Sequence, residues 1–389
     1  MVKNFICISI ILANFLFAQA FKNPPESSSS ISQSGAFIAQ ADDASAINFN
    51  PAGLVQLKNG EFLFGLTYIH STTKYFYSNG VEEKKYSPGF LPYFYYVPNI
   101  ENENFKFGIG VNIPYGQTIE WSREIVRYWN YQIPYYTRMQ TINISPAVSF
   151  KLNQSFSVGM APNIYYSKLN IHNLILLAPG IETIGKMEVD GYTFGGTFGL
   201  LYRKNNYSIG VKYQTPFEIR YKGNFDLHNI GSFNAETKIN FPKRYGIGVC
   251  FYPVEKIKME FDVEHFKFSS LKSIFINPGF NSPYEVQKNW KDVYNFYFGT
   301  EYRKSKNLKI RGGIAKLNSP IPESTWEPSL PDADTIILTG GTEIKTRFGF
   351  FEFTILISNP QEIKKKEGNY GGTFKSEGFF FTIGFKREF

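Results

Sequence analysis

The sequence has very little cysteine. Of its 389 residues only Cys7 and Cys250 are cysteines. Cys7 lies in an apolar N-terminal stretch that we interpret as a signal peptide, so Cys250 alone remains in the mature chain. A framework of intramolecular disulfides is therefore excluded.

The sequence also lacks an apolar run of the roughly 20 residues that a transmembrane helix needs. Its longest run, Phe5–Phe17, follows Lys3 and precedes Ala18-Gln19-Ala20. A positive residue, an apolar stretch and a small-x-small site are typical of a secretory signal peptide. We predict that residues 1–20 are removed, so that the mature chain begins at Phe21.

The sequence also lacks the common motifs of catalytic, metal-binding and phosphate-binding sites. The four histidines do not form a His-Glu-x-x-His pattern, and neither a Gly-x-Ser-x-Gly elbow nor a phosphate-binding glycine loop is present. We therefore predict that the protein is not an enzyme and has no catalytic residues, no metal and no cofactor. The net charge is +8, but the basic residues are scattered and often lie at turns, so we expect no nucleic-acid partner.

What the sequence does have is alternation. After Gly60, apolar and polar residues alternate in long segments separated by turn signals. The mean hydropathy of −0.24 is unremarkable, as it is in transmembrane barrels, whose residues face lipid and lumen in turn. We predict fourteen strands: Glu61–Ser71, Pro88–Pro98, Asn104–Tyr115, Met139–Lys151, Ser155–Leu169, Asp190–Arg203, Tyr207–Phe217, Ile239–Tyr252, Lys256–Phe268, Trp290–Arg303, Leu308–Leu317, Thr335–Lys345, Phe348–Ser358 and Gly378–Phe389.

The connections between these strands alternate between short and long. The long ones are predicted to be loops at 116–138, 170–189, 218–238, 269–289, 318–334 and 359–377. Short periplasmic turns and long extracellular loops are typical of outer-membrane barrels. In the last strand, Phe379, Phe381 and Ile383 share one face, while Thr382 and Lys386 share the other. Because lipid offers no partner for an open strand edge, the prediction is all-β: residues 61–389 form a 14-stranded antiparallel transmembrane β-barrel in the cell outer membrane.

Residues 21–60 do not follow this alternation. They begin with a serine-rich lead-in, and Asn50-Pro51 is a turn dipeptide followed by Gly53. A compact irregular segment before a long series of strands is either a linker or an element inside what the strands build. With an even number of strands, it lies at the periplasmic mouth or within the lumen.

Several blocks resemble the FadL/TodX family of outer-membrane transporters of hydrophobic compounds, and together they extend over essentially the whole mature chain. The blocks are Ala41–Ala46 with Asn50–Leu54, Asn289–Asp292, Gly299–Tyr302, Leu308–Gly313, Ser319–Pro322 and Leu330–Asp334. The resemblance implies that residues 21–60 include an N-terminal hatch inside the barrel, and that Asn50, Pro51 and Ala52 belong to it. It also implies passive transport of long-chain fatty acids or aromatic hydrocarbons, with a ligand-gated hatch rearrangement and lateral exit at a kinked third strand.

For that lateral opening the matching positions are Pro114, Tyr115 and Gly116. Proline has no N–H for a sheet ladder and belongs at an edge, a bulge or a strand end. Pro114 therefore either opens the wall locally or simply ends the strand.

Two further ligand contacts are predicted. The apolar residues Leu174, Ile175, Leu176 and Leu177 fall in the expected loop 170–189, and an exposed apolar patch usually marks an interaction site. They either form a landing groove for the ligand or pack into a small core of the loops. A fatty acid would also need a partner for its buried carboxylate, and the inward-facing Lys212 and Arg311 are candidates, unless they are ordinary lumenal charges balanced by the inward carboxylates Glu260, Asp262 and Glu264.

The expected partners follow from this function. They are a hydrophobic small molecule, outer-membrane lipid and lipopolysaccharide, and the barrel-assembly machinery during biogenesis, and we expect a monomer. A general diffusion porin and an adhesin-like structural barrel remain alternatives. An open, charged lumen would favour the porin.

Overall fold

The computed structural model describes residues 20–24, 26–366 and 369–389. Apart from Ala20, the predicted signal peptide lies outside these residues. Within them, twenty strand segments follow one another along the chain: β1 (Glu61–Tyr77), β2 (Gly80–Glu83), β3 (Gly89–Val97), β4 (Phe105–Glu120), β5 (Tyr136–Lys151), β6 (Phe156–Ala178), β7 (Ile181–Lys204), β8 (Tyr207–Gln214), β9 (Phe217–Leu227), β10 (Gly231–Phe241), β11 (Arg244–Val254), β12 (Ile257–Phe266), β13 (Ser273–Asn277), β14 (Tyr284–Gln287), β15 (Val293–Ser305), β16 (Leu308–Leu317), β17 (Thr335–Lys345), β18 (Phe350–Pro360), β19 (Ile363–Lys365) and β20 (Gly372–Glu388).

Short helices supplement the strands. The α-helices are α1 (Ser28–Ile31), α2 (Ala46–Phe49) and α3 (Arg123–Tyr128), and 3₁₀ turns span Pro51–Gln56, Phe268–Ser270 and Glu323–Thr325. Asn50 begins the first 3₁₀ turn because its side chain accepts a hydrogen bond from the N–H of Ala52, and Pro51 supplies a preset φ at the first position. Among the described residues, no helix is both long and apolar enough to cross a membrane.

Fourteen of the strands close into an antiparallel ring. The order is β1, β3, β4, β5, β6, β7, β8, β11, β12, β15, β16, β17, β18 and β20, and β20 pairs back onto β1 from Glu61↔Glu388 to Phe76↔Thr373. Each predicted strand corresponds to one member of this ring. The predicted fold class, a 14-stranded barrel, is confirmed.

The predicted facing of the strands is also correct. In β20, Phe379 and Ile383 are exposed on the outside, whereas Thr382 and Lys386 are buried inside. Two-residue turns such as Asn205-Asn206 and Lys306-Asn307 gather at one end of the barrel, which we call the short-turn end. The opposite end, which carries the longer connections, is called the long-loop end.

The loop predictions at the long-loop end were partly wrong. Residues 170–189 form the outer portion of a hairpin, since β6 continues to Ala178 and β7 starts at Ile181, with Gly180 at φ +76° in the turn. Residues 218–238 are likewise mostly β9 and β10, and 269–289 contain β13 and β14. The exposed positions of these extensions include polar residues such as Lys186 and Glu188, so the apolar-polar alternation that marks a strand is weaker there.

Candidate functional site

Residues 26–57 lie inside the barrel rather than beneath it. Almost all of them are buried, including every residue from Ser27 to Ser34. Serine hydroxyls supply much of the contact with the wall: Ser28 Oγ lies 2.8 Å from Thr354 Oγ1, and Ser34 Oγ lies 2.9 Å from Thr339 Oγ1. The segment that the resemblance identifies as a hatch therefore occupies the lumen.

Asn50 joins the segment to itself and to the wall. It is fully buried, and its Nδ2 donates to the carbonyl oxygens of Ile38, at 2.9 Å, and Leu200, at 3.1 Å. Its Oδ1 accepts from the N–H of Ala52 at 3.2 Å. An alanine here would leave buried backbone groups without partners, which costs about 1–3 kcal/mol for each group.

The wall around Asn-Pro-Ala is built to receive it. The carbonyl oxygen of Ala52 accepts hydrogen bonds from Ser149 Oγ at 3.2 Å and Ser157 Oγ at 2.8 Å. A Cβ at Gly199 would overlap Asn50 Oδ1, and a Cβ at Gly159 would overlap the backbone of Pro51. Glycine at these two inward positions makes room for the segment.

Two carboxylates of β12 bind a second stretch of the hatch, residues 37–40, by hydrogen bonds. Asp262 Oδ2 accepts from the N–H groups of Phe37 and Ile38 at 2.8 and 2.9 Å. Glu260 accepts from the N–H groups of Ala39 and Gln40 at 2.7 and 2.9 Å. Four consecutive backbone donors thus end on two fully buried side chains. The sequence predicted that these carboxylates face inward but gave no sign of what they bind.

Arg311 lies in an ion-pair network near the short-turn end. Its guanidinium contacts carboxylates at 2.8 Å, 2.6 Å and 2.9 Å; the partners are Glu301, Glu343 and Glu352. Lys386 contacts Glu343 as well, at 3.2 Å. Because three carboxylates already surround this guanidinium, its charge is balanced within the wall of the barrel.

The pairing of neighbouring strands in the barrel wall is incomplete between β3 and β4. β3 is paired with β1 along its whole length, but with β4 only from Phe94↔Val111 to Tyr96↔Ile109. On its other side, β4 has a bulge against β5, where two residues, Ile113 and Pro114, oppose one. Pro114 therefore lies within β4, which continues to Glu120, and does not end the strand.

The N-terminal residues cover this bulge. The N–H of Asn23 donates to the carbonyl of Pro114 at 2.9 Å, and its side chain donates to the carbonyl of Ile113 at 2.8 Å. The N–H of Gly116 donates to the carbonyl of Phe21 at 2.9 Å. Residues 21–23 thus pair with β4 where β3 does not.

The Phe21 ring enters an aromatic cluster in the middle of the lumen. Its centroid lies 5.2 Å from that of Phe241 and 5.5 Å from that of Trp290. Tyr115 lies 4.8 Å from Phe241 in the same cluster. The cluster continues through Tyr165 and Phe217, whose rings stack at 4.1 Å. The sequence did not predict the role of Phe21, because that role depends on where the barrel places it.

A cavity of about 310 Å³ lies beside the bulge. Its lining includes Ala20, Lys22, Gly116, Leu91, Phe380 and Leu330. The cavity therefore lies between the N-terminal residues, the separated strands β3 and β4, and the loop 318–334. Pro114 itself is buried at the bulge, while its neighbours Ile113 and Gly116 form the cavity wall.

Lys212 faces a smaller, polar cavity of about 30 Å³ next to the hatch. Its Nζ lies 3.8 Å from Glu264 and 5.5 Å from the centroid of the Phe49 ring. The charged lining consists of three basic residues and two acidic ones: Lys22, Lys212, Arg244, Glu26 and Glu264. The formal charge of this lining is therefore positive by one.

The four predicted landing residues separate into two pairs. Leu174 is buried in an aromatic cluster with Trp121 and Trp129, and Ile175 is half-buried against the lumenal cluster. Leu176 and Leu177 are exposed at the end of the β6–β7 hairpin. The structure therefore places only the second pair on the surface.

Comparison with known proteins gives a match along nearly the whole chain. A family model described as outer membrane protein transport protein (OMPP1/FadL/TodX) matches residues 9–389. A long-chain fatty acid transport protein of Escherichia coli O6:H1 is 24% identical over 404 residues, covering 89% of this chain and 88% of that protein. A 47 kDa outer membrane protein of Pasteurella multocida is 25% identical over 413 residues, covering 96% and 92%.

Solved structures share the fold. A FadL homologue of Pseudomonas aeruginosa aligns with a TM-score of 0.83 at 16% identity, covering 95% of this chain and 100% of the other. The toluene transporter TodX of Pseudomonas putida aligns with a TM-score of 0.76 at 14% identity, covering 95% and 99%. These relatives are transport proteins rather than enzymes, in agreement with the sequence-based prediction.

Proposed function

The chain belongs to the OMPP1/FadL/TodX family of outer-membrane transport proteins, and we propose that it takes up long-chain fatty acids or aromatic hydrocarbons passively, with release through the barrel wall. Short turns are usually periplasmic in such barrels and long loops extracellular. On that basis ligand arrives at the long-loop end and the hatch separates it from the periplasm.

The main support for this proposal is the gap between β3 and β4. Three paired residues join these strands, whereas β6 and β7 are paired from Phe156↔Tyr202 to Ala178↔Ile181. The cavity of about 310 Å³ borders the gap, and Ile113 and Gly116 of the bulged strand line it. A hydrophobic molecule in this cavity would reach lipid by a short sideways path, without crossing the polar contacts of the hatch.

The N-terminal residues would be the gate. Three hydrogen bonds and one aromatic side chain hold residues 21–23 on the bulge. Ligand that enters the aromatic cluster competes with the Phe21 ring for the same apolar surface. Displacement of Phe21 would also release the pairing with β4, which links ligand binding to opening of the gap.

Two other contacts complete the proposed path. Leu176 and Leu177 offer an exposed apolar patch at the long-loop end, which suits a landing site. Lys212, with Arg244 and Lys22 beside it, is our candidate partner for a fatty acid carboxylate, because these three basic groups face only two acidic ones in the lining of the cavity.

Uptake by cells tests the function. Transporter-deficient cells that make this protein receive labelled oleate or labelled toluene, beside cells that make Asn50→Ala or Asn48→Ala. We expect uptake of at least one compound with the wild type. Uptake should be lost with Asn50→Ala at normal surface levels, because that change removes the contacts to Ile38, Leu200 and Ala52.

Asn48→Ala is the matched control, since the Asn48 side chain makes one hydrogen bond, to Tyr95 Oη at 3.0 Å. Uptake in this variant should stay near the wild-type rate. If neither compound enters with the wild type, while the purified protein passes ions freely, the proposal fails and a general diffusion porin takes its place.

A further inference from the structure

The predicted signal cleavage site falls at an unusual place in the structure. Cleavage after Ala20 makes Phe21 the first residue of the mature chain. Ala20 lies on the wall of the cavity beside the β4 bulge, and Phe21 is buried with its ring in the aromatic cluster. The N-terminus created by cleavage is therefore held inside the barrel and does not extend into solvent.

The contacts of Phe21 and its neighbours fix the position of the new terminal nitrogen. The carbonyl of Phe21 is fixed by the N–H of Gly116, and Lys22 is bridged to Tyr115. The nitrogen of Phe21 is bonded directly to Ala20, which lines the cavity. Loss of Ala20 leaves this nitrogen at the cavity wall as a free ammonium group and enlarges the space in front of it.

We infer that the α-ammonium group of Phe21 lies on the wall of this cavity in the mature protein and binds the carboxylate of an amphiphilic ligand there. The inference rests on the proposed function and adds a ligand contact that no side chain supplies. An ammonium group away from bulk water needs an anionic or hydrogen-bonding partner. A ligand carboxylate would be such a partner, and its alkyl chain would lie against Leu91, Ile69 and Phe380.

The charged groups around the cavity leave room for such a partner. The titratable side chains in its lining are Lys22, Arg138 and Asp332. Asp332 already accepts a hydrogen bond from Ser319 Oγ at 2.6 Å. Addition of an α-ammonium group to two basic side chains and one acidic side chain makes the cavity more positive, so it favours an anionic head group.

Lys22 lies at both the cavity beside the bulge and the polar cavity next to the hatch, which contains Lys212. A carboxylate paired with Lys212 could therefore move to the terminal ammonium group past Lys22. The chain of basic groups would guide the head group towards the gap between β3 and β4.

A matched pair of insertions tests this inference. One variant has alanine inserted between Ala20 and Phe21, and the other has glutamine there. After cleavage, the inserted alanine carries an ammonium group in the place of Ala20. The inserted glutamine cyclises with loss of ammonia, so its nitrogen becomes part of a neutral lactam. Intact mass spectrometry of the purified mature proteins shows where each chain begins and whether the ring has formed.

Binding is then measured with laurate, dodecanol and toluene on the purified full-length barrels. We expect the wild type and the alanine insertion to bind laurate about tenfold more tightly than dodecanol, as a charge-assisted hydrogen bond allows. The glutamine insertion should lose this preference and still bind dodecanol as the wild type does. Unchanged binding of dodecanol would show that the lactam has not blocked the cavity.

Several results would overturn the inference. A mature chain that begins at a residue other than Phe21 would do so, as would a preference for laurate that persists with the lactam. In both cases binding of dodecanol or toluene would leave the proposed function standing. If the wild type binds none of the three compounds, the proposed function fails together with the inference.

Discussion

Two stretches of the N-terminal segment are held inside the barrel in different ways. Residues 37–52 are fixed by hydrogen bonds to buried polar groups of the wall, such as Asp262, Glu260 and Ser157. Residues 21–23 are held by three hydrogen bonds to an irregular part of β4 and by the aromatic packing of Phe21. The first kind of contact specifies one position, whereas the aromatic packing of Phe21 can be replaced by an apolar molecule that fills the same space.

Because of this difference, movement of residues 21–23 should cost less free energy than movement of residues 37–40. To detach residues 37–40, four buried backbone donors must lose their acceptors at once, and each loss costs about 1–3 kcal/mol. To detach residues 21–23, the molecule loses fewer hydrogen bonds, and a hydrophobic ligand can restore the buried apolar contact. We therefore expect the deep part of the hatch to remain in place while the N-terminal residues move.

The largest effect should come from weakening the deep attachment. In the double variant Glu260→Gln and Asp262→Asn, the amide at position 260 can accept from only one of its two backbone donors, and its own N–H group faces the other. The hydrogen bonds that remain to residues 37–40 no longer end on carboxylates, so they are weaker. We expect the hatch to leave its seat, and single-channel conductance and entry of large hydrophilic antibiotics to rise sharply. Heat-modifiable migration in gels should remain, because the barrel ladder itself is unchanged.

The control for this variant is Glu188→Gln with Asp190→Asn. These residues have the same spacing on β7, but both are exposed. Their replacement should leave conductance at the wild-type level. A double variant at Glu260 and Asp262 that stays as tightly closed as the wild type would contradict the idea that these carboxylates anchor the hatch.

The second prediction concerns a variant in which the gap in the wall should close. Deletion of Pro114 removes the extra residue of the bulge, so that Asn112 and Tyr115 would be separated by one residue, as are Asn143 and Thr141 opposite them. Both flanking side chains would keep their inward direction, because side chains alternate with a period of two. We expect a folded barrel whose uptake of hydrophobic compounds falls to that of cells without the protein.

Pro114→Ala is the companion variant. It keeps the number of residues in the bulge and restores one N–H, so it should retain most of the uptake. Normal uptake after the deletion would count against exit between β3 and β4.

A third prediction concerns a charge at the long-loop end, outside the membrane-spanning segments. Lys84 is 3% exposed, and its ammonium group donates to Ser71 Oγ at 3.1 Å, next to the larger cavity. Burial lowers the pKa of Lys84 to about 8, and Glu83 offsets this only in part. Between this value and the unfolded pKa of 10.5, the unfolded chain binds more protons, so stability should rise with pH.

Urea unfolding in lipid vesicles measures this effect. Relative to Lys84→Met, the unfolding free energy of the wild type should increase by up to about 3 kcal/mol as the pH rises through this range. Comparison with the variant removes the contributions of the other titrating groups. Parallel curves for the two proteins would show that Lys84 titrates normally.

The sequence predicted the barrel well, because alternation and turn length directly record which residues face lipid. The third strand of the barrel, β4, shows what such a pattern can predict and what it cannot. Pro114 was singled out from the sequence as a residue that either opens the wall or ends the strand. That the strand continues past it could not be predicted, because the bulge is paired with residues 21–23, which lie about 90 positions earlier. The role of Glu260 and Asp262 was missed for the same reason, since their partners are backbone groups far away in the sequence.

The apolar run Leu174–Leu177 shows a different limit. Its lack of alternation predicted a loop, yet these residues continue β6. Leu174 packs with tryptophans from another connection, which is a tertiary contact that no local pattern records. Composition thus located an apolar feature but did not determine its conformation.

The smallest expected effect concerns Lys212, which lies close to both the movable N-terminal residues and the deep part of the hatch. Its neighbour Lys22 belongs to the movable N-terminal end, while Phe49 belongs to the deep hatch. Lys212→Met should lower the affinity for laurate about threefold, because the carboxylate loses one contact and keeps the terminal ammonium group of Phe21, and leave the affinity for toluene unchanged. Lys204 is exposed at the end of β7, so Lys204→Met removes a lysine of the same barrel without touching the lumen. This control should bind both compounds like the wild type. An equal loss of both ligands in Lys212→Met would instead mean that this lysine supports the hatch through Glu264, and the carboxylate would then have to be recognised nearer the β4 bulge.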